Sequence, residues 1–137
     1  MPNPLQSCKF LQMLAPIDVN GITATDTEID TLGWHYLAVH VSVGVISANQ
    51  TACTLNESDT ASQTGDVFVT FTPQLATGGD ATQQVAFIDL RKRKRYISLV
   101  DTGGAAATLI SVTGILWRGD QAPDTATERG LSEQFVI

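Results

Sequence analysis

The stretch His35-Tyr36-Leu37-Ala38-Val39-His40-Val41-Ser42-Val43-Gly44-Val45 decides the fold. Alternate residues His35, Leu37, Val39, Val41, Val43 and Val45 make one face, and Tyr36, Ala38, His40, Ser42 and Gly44 make the other. Successive side chains of a strand leave opposite faces, so this pattern sets a nearly unbroken valine face against a core. Helical spacing would scatter the same valines around an axis.

Working outward, the segments on either side are shorter but similar. Ile22 to Ile29 is Thr-rich and reads as an edge strand, followed by a turn at Asp30-Thr31-Leu32-Gly33. Downstream, strands are expected over Ala52–Glu57, Val67–Thr72 (stopped by Pro73), Gln83–Leu90, Arg95–Asp101 and Thr108–Arg118. Gly78-Gly79-Asp80 and Thr102-Gly103-Gly104 mark turns, and Ser58 to Asp66 a polar surface loop. Seven or eight strands at short spacing, with no internal helix, predict an all-β antiparallel sandwich, jelly roll or small barrel. The 137 residues divide into an N-terminal arm (1–21, broken by Pro2, Pro4 and Pro16), a β-sandwich domain (22–118) and a C-terminal tail (119–137).

Composition agrees. Charged residues are 16% of the chain, below the roughly 25% of ordinary soluble domains, while seventeen Thr stand against three Lys and four Glu. Thr suits a pleated surface, and a neutral polar surface is cheap to desolvate against neighbours. The apolar patch Phe10-Leu11-Gln12-Met13-Leu14 is too short for a signal-peptide core or a bilayer span. No membrane role is expected.

The main irregularity is Arg91-Lys92-Arg93-Lys94-Arg95, five positive charges side by side in a chain of net charge -6. Lying between two strand-like stretches, the run reads as a connection within the β-domain. It admits three roles: a nucleic-acid patch, a solvated hairpin tip, or a contact to an acidic partner. An extended run would place Arg91, Arg93 and Arg95 on one side, able to fork onto carboxylates. Nucleic acid is disfavoured because the rest of the chain is acidic and only Tyr96 is an adjacent aromatic.

No catalytic constellation assembles: the sequence has no Gly-x-Ser-x-Gly elbow, phosphate loop, Cys-x-x-Cys or His-Glu-x-x-His. His35 and His40 leave opposite faces of one strand. Cys8 and Cys53 fit no metal spacing and read as reduced, partly buried thiols. Asp26/Glu28 and Asp18/Asp30 read as solvated edge carboxylates. No enzyme activity, metal or cofactor is expected.

Between Val85 and Leu131 the chain resembles a known family. The residues are Ile88-Asp89-Leu90-Arg91, Arg93 to Val100, Leu116-Trp117-Arg118-Gly119, and Ala122-Pro123 through to Arg129-Gly130. They are similar to the C-terminal part of capsid decoration (cement) proteins of tailed bacteriophages. The resemblance implies a β-sandwich or jelly-roll subunit, often trimeric, on the outside of a virion capsid assembled in the host cytoplasm. Its partners would be the major capsid protein and further copies of itself. The expected contacts are Arg91, Lys92, Arg93, Lys94 and Arg95 on acidic neighbours. Phe10, Leu11 and Leu14 would anchor the N-terminal arm, and Leu131, Phe135 and Val136 the C-terminal tail. Two alternatives stand beside this reading. One is a carbohydrate-binding module of a phage fibre using Trp34, Tyr36 and Trp117. The other is a small nucleic-acid-binding barrel using residues 91–95.

Overall fold

A computed structural model describes residues 7–25, 28–61, 65–71 and 81–119. Nine strands occur among them: β1 Lys9–Asp18, β2 Thr23–Thr25, β3 Ile29–Asp30, β4 Trp34–Ile46, β5 Ala52–Ser58, β6 Asp66–Thr70, β7 Gln83–Asp89, β8 Tyr96–Thr102 and β9 Thr108–Gly119. One sheet has the order β1-β9-β4-β7; the other has β2-β8-β5-β6, with β3 also on β8. Every pairing is antiparallel. The chain passes from one sheet to the other at each connection except β2–β3 and β5–β6. Counting β2 and β3 as one broken strand, this is the eight-stranded jelly roll.

The decisive stretch is β4, central in its sheet between β9 and β7. Leu37, Val39 and Val41 are fully buried and Val43 nearly so, facing Leu55, Ile97 and Leu99 of the opposite sheet. Two alternating strands from two sheets thus bury their apolar faces against each other, the dominant stabilising term in such a fold. The turn at Thr31-Leu32-Gly33 works because Gly33 adopts φ 82°, which side chains with a Cβ seldom take.

The N-terminal segment departs from expectation. Lys9–Asp18 is no arm but β1, an edge strand paired with β9 from Lys9↔Leu116 to Asp18↔Leu109. Pro16 is accommodated because β1 lies at the border of its sheet and shifts register twice, between Gln12 and Leu14 and between Leu14 and Ile17. Leu14 and Met13 are buried in the chain's own core, Leu11 packs against it, and Phe10 is half-buried. A gap in β9 explains the fit. Gly114 occupies an inward position between Val112 and Leu116, and an added Cβ there would meet Met13 Sδ and Ile29 Cδ1 at 3.2 Å. Those side chains fill the space that glycine leaves. The expected single edge strand over 22–29 is instead β2 and β3, both on β8. Leu131, Phe135 and Val136 lie outside the described residues.

Among the described residues one carboxyl group is buried in the sandwich. Asp101 of β8 stands opposite Cys53 of β5 and is fully inaccessible. Burial pushes its carboxyl up to about 6, against hydrogen bonds from the Cys53 thiol and Gln50 that favour the anion. Gln50, with its amide nitrogen turned toward them, donates to Asp101 Oδ1 and Thr102 O at 2.9 Å each. A raised native value means stability is greatest below the unfolded value near 4 and falls as pH rises through 6. Two pKa units correspond to about 3 kcal/mol at most. Asp101→Asn should therefore match the parent near pH 4 and exceed it by about 2–3 kcal/mol above pH 7 in urea unfolding. An unchanged slope of stability between pH 4 and 6 would show that Asp101 is not the group responsible.

Candidate functional site

The basic run connects β7 to β8, but it is not extended. Leu90–Lys92 forms a 3-10 turn with Asp89 as its N-cap, accepting from Arg91 N at 3.1 Å. Leu90 points inward and is buried, and Arg93 N closes the turn on Leu90 O at 3.0 Å. Wound this way, the five side chains diverge instead of sharing a side.

Each divergent cation but one meets an acid, Arg91 the N-cap of its own turn and the other three an acid from elsewhere in the fold. Arg91 forks onto Asp89, Nε to Oδ1 at 2.9 Å and Nη2 to Oδ2 at 2.6 Å. Arg95 forks in the same way onto Asp30 of β3, at 2.8 and 2.7 Å. Lys94 Nζ donates to Asp66 of β6 at 2.8 Å and lies 4.0 Å from Asp59. Arg93 Nη1 donates to Glu57 of β5 at 3.4 Å, while the other Glu57 oxygen accepts from Lys94 N at 3.2 Å. Lys92 alone has no ion-pair partner among the described residues. The guanidinium of Arg91 holds the Asp89 carboxyl down at about 2, and Arg95 and Lys94 lower Asp30 and Asp66 in turn.

Three of the arginines also lie over rings: Arg91 over Tyr36 at 5.3 Å, Arg93 over Phe68 at 5.0 Å and Arg95 over Tyr96 at 5.0 Å. The run is thus a clasp at one end of the sandwich, drawing β3, β5, β6 and β7 onto a single turn. Its charge is largely answered inside the molecule. What it offers outward is the exposed remainder of each side chain, not five free cations.

The aromatic residues are engaged as well. Tyr36 and Trp117, opposite each other on β4 and β9, stack with centroids 5.6 Å apart. Arg118 also approaches the Tyr36 ring, at 5.6 Å. Trp34 packs against the core. A flat sugar platform needs an open ring face, and Tyr36 already has guanidinium groups and an indole against it.

The remaining candidates are separated by the fold. His40 bonds Gln83 Oε1 at 3.0 Å on the outer face of β4, and His35 is exposed near the start of that strand. Asp18 Oδ1 accepts from Thr108 N at 2.8 Å, a structural cap. Glu28 is described, and Asp26 lies outside the described residues. Cys8 and Cys53 are buried and not joined in a disulfide, and burial raises both thiols, which favours the protonated form. Among the described residues no group of three or more His, Cys, Asp and Glu could hold a metal ion.

No family model matches the chain, and no curated protein matches it. Its fold is similar to a solved structure described as "Bacillus endospore appendages form a novel family of disulfide-linked pili". The TM-score is 0.50 at 16% identity, over 80% of this chain and 88% of that one. At that identity the likeness is one of fold.

The acids of the clasp differ in burial, which ranks their importance. Glu57 has 14% of its side chain exposed and serves both Arg93 and the Lys94 backbone, whereas Asp66 is 80% exposed. Glu57→Ala should cost about 1–2 kcal/mol in denaturant unfolding, and Asp66→Ala should leave the melting temperature within error. Equal effects would mean that the turn is not held through Glu57.

Proposed function

We propose that the protein is a structural subunit of a larger protein particle, working through repeated non-covalent contacts. The observation that carries this reading is the surface. The clasp answers four of the five clustered cations with the chain's own acids, so the run supplies no broad positive face. Large apolar side chains nonetheless stand in water, among them Phe87, Leu32, Val67, Ile22 and Leu109. A rigid sandwich with a low-charge, apolar-studded surface is suited to burying area against other proteins at little desolvation cost.

The finer form of the reading is a decoration subunit on the outside of a tailed-phage capsid. It bridges major capsid subunits as a homo-oligomer, a trimer by the family resemblance, and is added to heads in the host cytoplasm. The resemblance over Val85–Leu131 supports that form. Six of its residues, Asp89, Arg91, Arg93, Lys94, Arg95 and Tyr96, sit together in the clasp and its ring contacts. Contacts repeated over a symmetric shell raise effective affinity, so each can be weak.

A second reading is a subunit of a homopolymeric appendage, favoured by the fold shared with an endospore pilus protein. The disulfide link named for that pilus has no ready counterpart in the described residues here, because Cys8 and Cys53 are both buried.

One experiment separates the two. Purified protein is mixed with bare phage heads, and separately concentrated alone, with both samples viewed by negative-stain microscopy. The decoration reading expects saturable addition to heads, a rise in their thermal resistance, and no filaments in the protein alone. Filaments from the pure protein, with no addition to heads, would replace it by the appendage reading.

A further inference from the structure

The outward face of the four-stranded sheet carries one apolar row between polar ones. Phe10 of β1, Ile115 of β9, Ala38 of β4 and Phe87 of β7 lie in one register row across all four strands. Phe87 is 78% exposed, and Val85, next on the same face of β7, is 45% exposed. Phe87 forms one wall of a depression of about 290 Å³, completed by Phe68, Val69 and Ile88 and rimmed by Asp89, Lys92 and Arg93.

The sheet borders are not equally protected. β1 carries Pro16 and two register shifts. β2 and β3 are fragments of three and two residues. β6 pairs irregularly with β5. β7 runs seven residues in unbroken register with β4, and Gln83-Gln84-Val85-Ala86-Phe87-Ile88-Asp89 contains no Pro, Lys or Arg. Sheet borders that must stay single are normally shortened, kinked or charged. Among the described residues β7 has neither shortening nor kink and only the Arg91-paired charge of Asp89 at its end, and the most exposed large hydrophobic side chain stands on it.

We propose that the Phe87 side of β7 is a self-association surface on which a second copy of this chain packs, each Phe87 entering the other copy's depression. Three observations select a second copy as the occupant. The surface holds a ring that projects from the wall of a hollow, so two copies related by a two-fold axis can each place the ring at the other's hollow. Its one carboxylate, Asp89, is forked by Arg91, so two chains of net charge -6 meet here without facing unpaired acids. The third is area. Seven strand residues across four strands cover about 400 Å² per copy, roughly half the area of a standard stable interface. That size fits a weak contact that becomes firm only when repeated. Being two-fold, it is separate from any threefold contact, and it does not depend on which particle the subunit joins.

Sedimentation velocity of the full chain, from low to high micromolar concentration, tests this. The weight-average mass should climb toward the dimer, and Phe87→Asp and Val85→Lys should each move the midpoint upward by about tenfold or more. Leu32→Asp, which removes an apolar side chain that is 67% exposed on the β3–β4 turn, should leave the midpoint in place. If circular dichroism shows Phe87→Asp misfolded, Val85→Lys decides. A parent protein monomeric throughout, a Phe87→Asp protein that associates like the parent, or an equal loss in Leu32→Asp would each overturn the proposal. A monomeric parent that still adds to bare heads would sink this contact and leave the decoration reading standing.

Discussion

Five like charges can occupy one short turn only if opposite charges are brought to them. In this protein they arrive from Asp30, Glu57, Asp59, Asp66 and Asp89, acids on or beside four different strands. That requirement and the jelly-roll order imply each other. Only a fold that gathers β3, β5, β6 and β7 at one end can answer the run, and a fold that did so without the run would leave several carboxylates crowded together. The exposed pairs contribute little individually. Their joint effect is geometric: they decide how the β7–β8 connection leaves the sandwich and which surfaces remain uncharged.

The sheet architecture was legible wherever period-two alternation ran long. The valine face of β4 and the inward Ile110, Val112 and Leu116 of β9 place those two strands, and they are neighbours in the sheet. β1 was not legible, because Gln12 and Pro16 break the pattern and the compensating features lie elsewhere. A border position and the hollow over Gly114 make room for the segment, and neither can be seen before β9 is known to be its partner. The same applies to Asp101. In the sequence it is the polar last residue of the strand expected over Arg95–Asp101; in the fold it is the inward residue opposite Cys53.

The basic run was correctly placed between strands, while all its partners but Asp89 were hidden by distance along the chain. The Arg95–Asp30 pair is separated by 65 residues and the Arg93–Glu57 pair by 36. A local reading therefore sees a free cationic patch and assigns it an external ligand. The structure pairs most of that patch with the chain's own acids at the surface and shifts attention to features with no sequence motif at all, such as an exposed phenylalanine on a border strand. Solitary apolar residues are common on surfaces. Phe87 stands out because a row, a hollow and an open strand edge coincide there.

The claim beneath this account is that the arginines of the turn are held by the chain's own carboxylates. Side-chain NMR of the Arg Nε–Hε groups, in isotopically labelled protein at neutral pH, addresses it most directly. Arg91 and Arg95, whose Nε–H groups donate to Asp89 and Asp30, should give resolved signals protected from exchange with water, and Asp30→Asn should release Arg95 alone. Signals for both that coincide with those of a free arginine side chain, exchanging at the same rate, would contradict it.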